Sequence, residues 1–358
     1  MFHISDLHMR SIDGPQAERA RLEAASRWRV LGEKWTDNLA ELRRSGRPVD
    51  LVVFTGDLGD RGHSTDYPDA LAFLKQTCEA LGVSLDRLFV VPGNHDIDRT
   101  IQRAAWESLR CDVAGDPRAR SMWMAGDDQG ALRGDDRSDQ ILERQQAFWA
   151  KVVELGRPEL VPKRSPHRRL GYRQAVMLPG LSQPIQVIGL DTAWLAGGDG
   201  DGGQLWLTEH QVSLLTTTER GAPLPGLRLA LMHHRLADLA DGAEARKLMA
   251  DRVDVLLHGH QHEPAAEVLQ GPDHQLLVLA TGCLYEGDDG HRYPNACQVI
   301  DMTLDEQARP RSAEIPFRGW SVRGMFWGDD RCCTRARRAG VSGCSAARAA
   351  GASPRTET

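Results

Sequence analysis

The chain has 358 residues, with 44 basic and 50 acidic side chains and a formal net charge of −6. This length is enough for one large domain or two ordinary ones. No apolar run approaches the roughly 20 residues of a membrane span, the first residues do not resemble a secretory signal, and none of the seven cysteines forms a Cys-x-x-Cys pair. We therefore expect a cytoplasmic protein with no membrane partner and no disulfide framework. The small negative net charge argues against binding of nucleic acid by the overall charge of the protein. A local basic groove is still compatible with this net charge.

Short apolar runs alternate with helical patterns through most of the chain. Each run has the length of a strand that is buried on both faces. The runs cover residues 51–54, 87–91, 185–190, 227–232 and 253–257, and helical spacing covers 16–46 and 66–82. This alternation predicts α/β layering.

The region after residue 264 has a different pattern. Apolar segments at 265–269, 275–280, 296–302 and 313–317 are joined by Gly, Pro and Asp turns, which is typical of antiparallel strands. A two-sheet β-sandwich flanked by helices accommodates both halves. We therefore predict an α/β fold of this layered type.

Two segments do not follow this alternation of strand and helix patterns. Residues 97–184 contain aromatic side chains and helical patterns at 100–112 and 137–155, which favours a helical insertion with its own small core. A cap that shapes a substrate site is compatible with this interpretation. From residue 323 the composition changes to Arg, Ala, Gly, Ser and Cys. We predict one domain over 1–322 and a disordered tail, or the start of a linker, over 323–358.

Residues that commonly bind metals follow the predicted strands. Parallel strands end at the same edge of a sheet, so such residues can converge although they are far apart in sequence. Carboxylate, imidazole and amide donors favour Mn, Fe, Zn or Co over a thiolate site. One carboxylate that can bridge, with enough ligands for two ions, describes a two-metal phosphate site. The segments are Asp6-Leu7-His8, Gly56-Asp57-Leu58-Gly59-Asp60-Arg61, Gly93-Asn94-His95-Asp96, His233-His234 and Gly259-His260-Gln261-His262.

In this order the five segments resemble the calcineurin-like metallophosphoesterases, whose pattern is D-x-H, G-D-x-x-D-R, G-N-H-[DE], a His after a strand, and G-H-x-H. The resemblance extends over about residues 1–320, and every signature position is present. The G-H-x-H segment together with Asp6-x-His8 is similar to the phosphodiesterase branch that includes class III cyclic-nucleotide phosphodiesterases. The resemblance thus implies hydrolysis of a phosphoester, in particular a phosphodiester, with a cyclic nucleotide among the candidate small-molecule substrates.

The same resemblance implies a dinuclear site for two divalent ions, Mn and Fe foremost and Zn or Co as alternatives. A hydroxide that bridges the two metals would attack phosphorus in line. His233 directly follows a predicted strand and is favoured over His234, which we place near the substrate. Arg235-Leu236 follows where the family usually has Pro, so the local loop shape is expected to differ. The implied ligands are Asp6, His8, Asp57 and His262 for the first metal, and Asp57, Asn94, His233 and His260 for the second.

The remaining motif residues receive supporting roles by the same resemblance. His95 would protonate the leaving oxygen, and Asp96 would hold the His95 ring in the useful tautomer. Asp60 and Arg61 would form an ion pair that supports the Asp57 loop, with Arg61 also within reach of phosphate.

Other functions remain open at the level of sequence. A nuclease would need a basic groove, which Arg164, Arg168, Arg169 and Arg173 could supply, although a solvated face explains this group as well. The chain could also be the phosphoesterase module of a larger signalling or defence protein. A non-catalytic scaffold is disfavoured because no ligand position is lost. Only five residues precede Asp6, so either the true start lies upstream of Met1 or the first strand is short.

Overall fold

The computed structural model describes residues 1–11, 17–116, 120, 137–163, 170–198, 200–270, 275–287, 293–329 and 341–342. The helices are α1 (Ala17–Leu31), α2 (Glu33–Arg44), α3 (Tyr67–Leu81), α4 (Arg103–Gly115), α5 (Arg137–Glu143), α6 (Gln146–Glu154), α7 (Glu209–Thr216) and α8 (Gly242–Arg252). The strands are β1 (Phe2–Ile4), β2 (Val52–Phe54), β3 (Leu88–Val90), β4 (Tyr172–Val176), β5 (Ile185–Gly189), β6 (Leu227–Leu231), β7 (Val255–His258), β8 (Ala265–Gln270), β9 (Gln275–Ala280), β10 (Ala296–Val299), β11 (Asp301–Leu304), β12 (Pro310–Glu314), β13 (Phe317–Ser321), β14 (Phe326–Asp329) and β15 (Val341–Ser342).

The first six-stranded sheet has the order β14-β13-β10-β1-β2-β3. Its central strands β1, β2 and β3 are parallel, with Phe2 opposite Val52 and Val52 opposite Leu88. Every residue of these three short strands is buried, as expected for a parallel sheet that is covered on both faces. Helices α2 and α3 cover the outer face, where the rings of Trp35 and Phe73 stack 5.7 Å apart.

The second six-stranded sheet has the order β4-β5-β6-β7-β9-β8, in which β5, β6, β7 and β9 are parallel. Successive residues of a strand point to opposite faces. Leu229 and Leu231 accordingly pack in the core that both sheets share, and Ala230 packs in a second core together with Met249 of α8. These two sheets and their flanking helices confirm the predicted layered α/β sandwich. A small third sheet has the order β11-β12-β15.

Several predicted boundaries differ from the structure. Gly32 divides the helical pattern at 16–46 into α1 and α2, and the apolar segment at 313–317 straddles the end of β12 and the start of β13. The region 97–184 contains α4, α5 and α6 and also β4, which pairs antiparallel with β5 and so belongs to the second sheet. Helices α7 and α8 and strands β4 and β14 were not predicted.

The tail was predicted to begin at 323, but strand β14 follows that point and pairs with β13. The physical reason is Trp327, which is 3% exposed and whose ring lies 5.0 Å from that of Trp35. The buried indole packs this short edge strand against α2. Of the later residues, the structure describes only β15, which pairs with β12. The rest of the predicted tail lies outside the described residues.

No helix in the described ranges has both the length and the apolar character that crossing a bilayer requires. The loops after β1, β2, β3, β6 and β7 carry all five sequence segments, and they meet at one edge of the sandwich. Leu7 N and His8 N, after β1, both donate to Asp57 O, after β2, at 2.9 Å. The nitrogen of Gly259, after β7, donates to His233 O, after β6, at 3.2 Å. The nitrogen of His260 donates to Asp6 Oδ2 at 3.2 Å, so the fold brings together residues 254 positions apart.

Candidate metal centre

The first ligand group contains Asp6, His8 and His262. The Nε2 atoms of His8 and His262 lie 3.4 Å apart. Asp6 Oδ1 lies 3.3 Å from His262 Nε2 and 3.9 Å from His8 Nε2. Within the described residues, this buried oxygen has no hydrogen-bond partner of good geometry. A buried carboxylate oxygen that faces two imidazole nitrogens without a hydrogen bond fits a cation between them.

The second group contains Asn94, His233 and His260. His233 Nε2 lies 3.0 Å from Asn94 Oδ1, and His233 Nδ1 lies 2.7 Å from Thr55 O. The Thr55 carbonyl can only accept, so it takes the Nδ1–H, and Nε2 is the ring nitrogen that faces Asn94 and Asp57. The rings of His233 and His260 are 5.1 Å apart. This group also fits a borderline divalent ion.

Asp57 lies between the two groups. Its Oδ2 atom is 3.1 Å from His233 Nε2 and 3.9 Å from His8 Nε2. Asp57 is 1% exposed, and its Oδ1 accepts the backbone N–H of His95 at 2.8 Å. One carboxylate therefore contacts nitrogens of both groups, which is the position that a bridging ligand requires.

His234 also lies at this edge. Its ring is 4.6 Å from that of His260, and its Nδ1 is 2.8 Å from Thr192 Oγ1. A ligand atom of His234 lies within 4.8 Å of those of His233 and His260. His233, not His234, contacts Asp57 and Asn94. The geometry therefore favours His233 as the ligand and leaves His234 beside the second group.

The backbone at the candidate ligands is unusual. Five of them have left-handed φ angles, a conformation that costs a non-glycine residue about 1–3 kcal/mol and that clusters at functional sites. The angles are 57° at Asp6, 48° at His8, 58° at Asp57, 71° at His260 and 57° at His262.

Glycine makes the close approach of the loops feasible. A Cβ on Gly93 would lie 2.8 Å from Asp57 Cγ, and one on Gly56 would lie 2.7 Å from His233 Cγ. The G-D and G-N dipeptides of the sequence therefore have a steric cause: the backbone passes directly beneath the ligand side chains.

The ring of His95 is held by Asp60. His95 Nδ1 lies 2.8 Å from the Asp60 backbone oxygen and 3.5 Å from Asp60 Oδ1. The predicted contact between Asp96 and the His95 ring does not form. Instead, Asp96 accepts the backbone N–H groups of Leu58, Gly59 and Gly93 at 3.2, 2.8 and 2.9 Å. These three hydrogen bonds link the loop that carries Asp57 to the loop that carries Asn94.

The predicted ion pair between Asp60 and Arg61 is also replaced. Asp60 pairs with Arg10, which follows the first motif along the chain. Arg61 pairs with Asp66, which is 1% exposed and also accepts the backbone N–H groups of Ser11 and Arg61. Asp66 therefore binds the Arg61 guanidinium and the adjoining backbone together. The Arg61 side chain remains 42% exposed.

The ionisation of the site reflects its buried charges. Burial disfavours the imidazolium of His233, but the charge of Asp57 outweighs burial and raises the pKa of His233 to about 9. Asp6 and Glu286 likewise outweigh burial and raise the pKa of His262 to about 10. Burial and the neighbouring His233 lower the pKa of His260 to about 4. Metal binding would therefore displace protons from His233 and His262.

Glu286 is the principal site residue that the sequence analysis missed. Its Oε2 lies 2.9 Å from His262 Nδ1, and its backbone N–H donates to Asn295 Oδ1 at 2.8 Å. A carboxylate in this position orients the ring of a ligand histidine. Glu286 stands in a turn with no motif around it, so the only available signal was an acidic residue shortly after β9.

Comparison with known proteins follows this geometry. A family model described as calcineurin-like phosphoesterase matches residues 1–264. The uncharacterised metallophosphoesterase-like protein YydB of Bacillus subtilis (strain 168) is 22% identical over 305 residues, which cover 83% of this chain and 57% of YydB. The cAMP/cGMP dual specificity phosphodiesterase MT0825 of Mycobacterium tuberculosis (strain CDC 1551 / Oshkosh) is 35% identical over 96 residues, which cover 27% of this chain and 26% of that protein. The chain thus spans well under two thirds of either relative.

Among solved structures, SoxB of Thermus thermophilus, a sulfate thiohydrolase, matches with a TM-score of 0.44 and 13% identity, covering 94% of this chain and 59% of SoxB. The purple acid phosphatase PPD1 of yellow lupin matches with a TM-score of 0.40 and 11% identity, covering 98% of this chain and 57% of PPD1.

Proposed function

The chain belongs to the calcineurin-like phosphoesterase family, and from this premise we propose that it hydrolyses a phosphodiester with two divalent metal ions bound. The observation that carries the proposal is the position of Asp57, whose Oδ2 lies 3.1 Å from His233 Nε2 and 3.9 Å from His8 Nε2. A carboxylate shared by two ligand groups is the feature expected of a dinuclear site.

In this proposal each group holds one ion. When bound, the two ions would supply positive charge for the phosphoryl oxygens and make a water molecule more acidic. Mn and Fe suit this mixture of carboxylate, imidazole and amide donors, with Zn or Co as alternatives. Asp6, His8, Asp57 and His262 would hold the first ion, and Asp57, Asn94, His233 and His260 the second.

His95 would deliver the proton to the leaving oxygen. Its Nδ1 is fixed against Asp60 O at 2.8 Å, so the ring has a defined orientation and Nε2 remains for proton transfer. Burial opposes the charged ring, but Asp60 and Asp57 outweigh burial and raise the pKa of His95 to about 9. A histidine that carries its proton at neutral pH is suited to act as a general acid.

Asp96 and Arg61 would support this chemistry from different positions. Asp96 joins the Leu58, Gly59 and Gly93 backbone, so it keeps the Asp57 and Asn94 loops in register. Asp66 holds the guanidinium of Arg61, which is partly exposed and could contact a phosphate oxygen. Asp60 would act through His95 and His8, with His8 Nδ1 3.8 Å from Asp60 Oδ1.

The choice of a diester draws on MT0825, whose name gives cAMP and cGMP as its substrates. A cyclic nucleotide is therefore a candidate substrate here. The nuclease alternative depends on four arginines, of which only Arg173 lies in the described residues. Its Nη1 donates to Thr217 O at 2.7 Å, so that hydrogen is already engaged within the protein. We accordingly favour a small diester over a nucleic acid strand.

The test is a metal-reconstituted assay. Chelator-stripped protein would be loaded with Mn²⁺, Fe²⁺, Zn²⁺ or Co²⁺ and offered bis-p-nitrophenyl phosphate, p-nitrophenyl phosphate, cyclic AMP and single-stranded DNA under identical conditions. We expect turnover only after metal addition, with diesters preferred over the monoester. Full activity in the stripped protein, or hydrolysis of the monoester alone, would contradict the proposal. Preference for DNA with a steep salt dependence would support the nuclease alternative.

A further inference from the structure

A cleft of about 340 Å³ opens between α1 and α3, beside the loop that carries His8. Its volume is at the lower end of the roughly 300–1,000 Å³ of small-molecule sites. Apolar walls come from Met9, Ala24, Trp28, Leu31, Ala72 and Phe73, and polar groups from Arg10, Glu23, Arg27, Asp69 and Gln76. None of the roles assigned above uses this cleft.

Trp28 is the large aromatic residue of the cleft that is most exposed. It is 71% exposed, although a large apolar side chain is usually buried. Its indole rests on Gly32, where a Cβ would lie only 2.7 Å from Trp28 Cδ2 and 2.9 Å from Cε2. The glycine therefore allows one face of the ring to lie against the backbone. The high exposure of the residue leaves indole surface free to stack on a planar group.

The cleft is connected to the metal centre through two arginines that line it. Arg10 pairs with Asp60, whose backbone oxygen lies 2.8 Å from His95 Nδ1. Arg27 donates from Nη2 to His8 O at 3.1 Å. Two side chains that line the cleft therefore also contact the loops that carry His8 and Asp60.

The chemistry of the walls defines the occupant. An exposed indole favours a flat aromatic ring, and Glu23, Asp69 and Gln76 offer acceptors and a donor for the polar edge of such a ring. A hydrocarbon chain would make no hydrogen bond with Asp69 or Gln76, whereas the polar edge of a ring would. Arg10 and Arg27 are already paired with Asp60 and Glu23. Their positive charges are therefore neutralised, and the negative charge of Asp69 would repel a second phosphate in the cleft. A single nucleotide therefore fits better than a nucleic acid strand.

We propose that the cleft between α1 and α3 binds the base of a nucleotide substrate by stacking on Trp28, while the phosphodiester lies at the metal centre. This inference rests on the proposed function for the position of the phosphate. It adds a specificity site that lies outside the five sequence motifs and that includes no metal ligand.

The experiment compares two esters with the same leaving group, thymidine 5′-(p-nitrophenyl) phosphate and methyl p-nitrophenyl phosphate, using the metal-loaded full chain. The ratio of their kcat/KM values isolates the contribution of the nucleoside. We expect Trp28→Ala to lower this ratio by about tenfold, mainly through KM, which is the order of effect of removing one aromatic–base stacking contact.

Leu22→Ala is the matched control, since Leu22 is 70% exposed on the same helix and does not line the cleft. We expect it to leave the ratio unchanged. An unchanged ratio in Trp28→Ala, or an equal fall in Leu22→Ala, would overturn the inference.

Calorimetric titration with thymidine 5′-monophosphate separates this inference from the proposed function. The metal-loaded wild type should bind the nucleotide about tenfold more tightly than Trp28→Ala. If neither ester is hydrolysed, the proposed function fails, and the titration still decides the inference. Equal affinities in the two proteins would overturn the inference even if both esters are hydrolysed.

Discussion

The two ends of the second sheet bury charge in different ways. At the amino ends of β6 and β7, Arg228 and Asp254 satisfy each other: Arg228 N, Nε and Nη2 donate to the carboxylate at 2.7, 3.0 and 2.9 Å. At the opposite end, His262 follows β7, and its Nε2 faces Asp6 Oδ1 from the first sheet at 3.3 Å. That oxygen has no hydrogen bond of good geometry in the described structure. A buried ion pair whose groups satisfy each other is typical of a structural role, whereas buried carboxylate and imidazole atoms that face each other without hydrogen bonds fit a cation between them.

The largest expected effect comes from making the same substitution, Asp to Asn, at each of these two ends. Asp57→Asn should abolish metal-dependent turnover and the stabilisation by metal, which is about 2.7 kcal/mol at one hundred times Kd, because the shared charge is lost. Asp254→Asn should lower the free energy of unfolding by about 3–5 kcal/mol because it leaves the largely buried Arg228 charge without that carboxylate, yet it should retain metal binding and turnover. Thermal denaturation with and without Mn²⁺, together with the diester assay, measures both. If Asp57→Asn still bound metal, the contrast between a metal site at one end and a structural ion pair at the other would be wrong.

The second prediction concerns His95, the proposed proton donor. His95→Gln should lower kcat by roughly 10²–10⁴-fold, as expected for loss of a general acid, and leave metal affinity within a few-fold. His63→Gln is the control, because His63 lies in a nearby loop, 39% exposed, with Nε2 3.9 Å from Asp98 Oδ1. Isothermal titration with Mn²⁺ and steady-state kinetics provide the two readouts. Metal loss that parallels the fall in kcat would assign His95 a structural role.

A smaller effect on metal affinity is expected for Glu286, which contacts the candidate ligand His262. Glu286→Gln removes the negative charge 2.9 Å from His262 Nδ1, so metal affinity should fall by about 10–100-fold. Glu263→Gln changes an exposed carboxylate beside His262 in sequence and should have no such effect. Chelator competition measures both affinities. Equal affinities in the two variants would mean that Glu286 does not orient His262.

The sequence predicted the positions of the ligands better than the contacts between them. Strand ends and the five segments were sufficient to anticipate that Asp6, Asp57 and His262 meet, because parallel strands place their carboxyl ends at one edge. The partner of His95 could not be predicted, since it is the backbone oxygen of Asp60 and any residue offers one. Edge strand β14 was missed for a related reason: its stability comes from packing of Trp327 against Trp35, a contact between distant parts of the chain.

Asp191 sharpens the comparison, because it lies at the same end of the sheet as the ligands but is satisfied by hydrogen bonds. Its carboxylate accepts Gln145 Nε2 at 2.7 Å and Ala193 N at 2.8 Å. Burial outweighs these bonds and raises the pKa of Asp191 to about 6. Burial at this edge is therefore insufficient to define a metal ligand, and the pattern of donors decides.

The last prediction follows from that pKa. Between pH 4 and 6 the folded protein holds a proton on Asp191 more tightly than the unfolded chain does, because the folded pKa is raised above the ordinary value near 3.9. The stabilisation is complete below pH 4 and is lost as pH rises through about 6, by an amount on the order of 3 kcal/mol. Asp191→Asn cannot titrate, so its free energy of unfolding relative to wild type should rise by up to that amount from pH 4 to 7. Urea denaturation of both metal-free proteins across this range measures the difference, from which all other titrations cancel. Parallel curves would show that Asp191 keeps an ordinary pKa and that its hydrogen bonds, rather than its burial, control its charge.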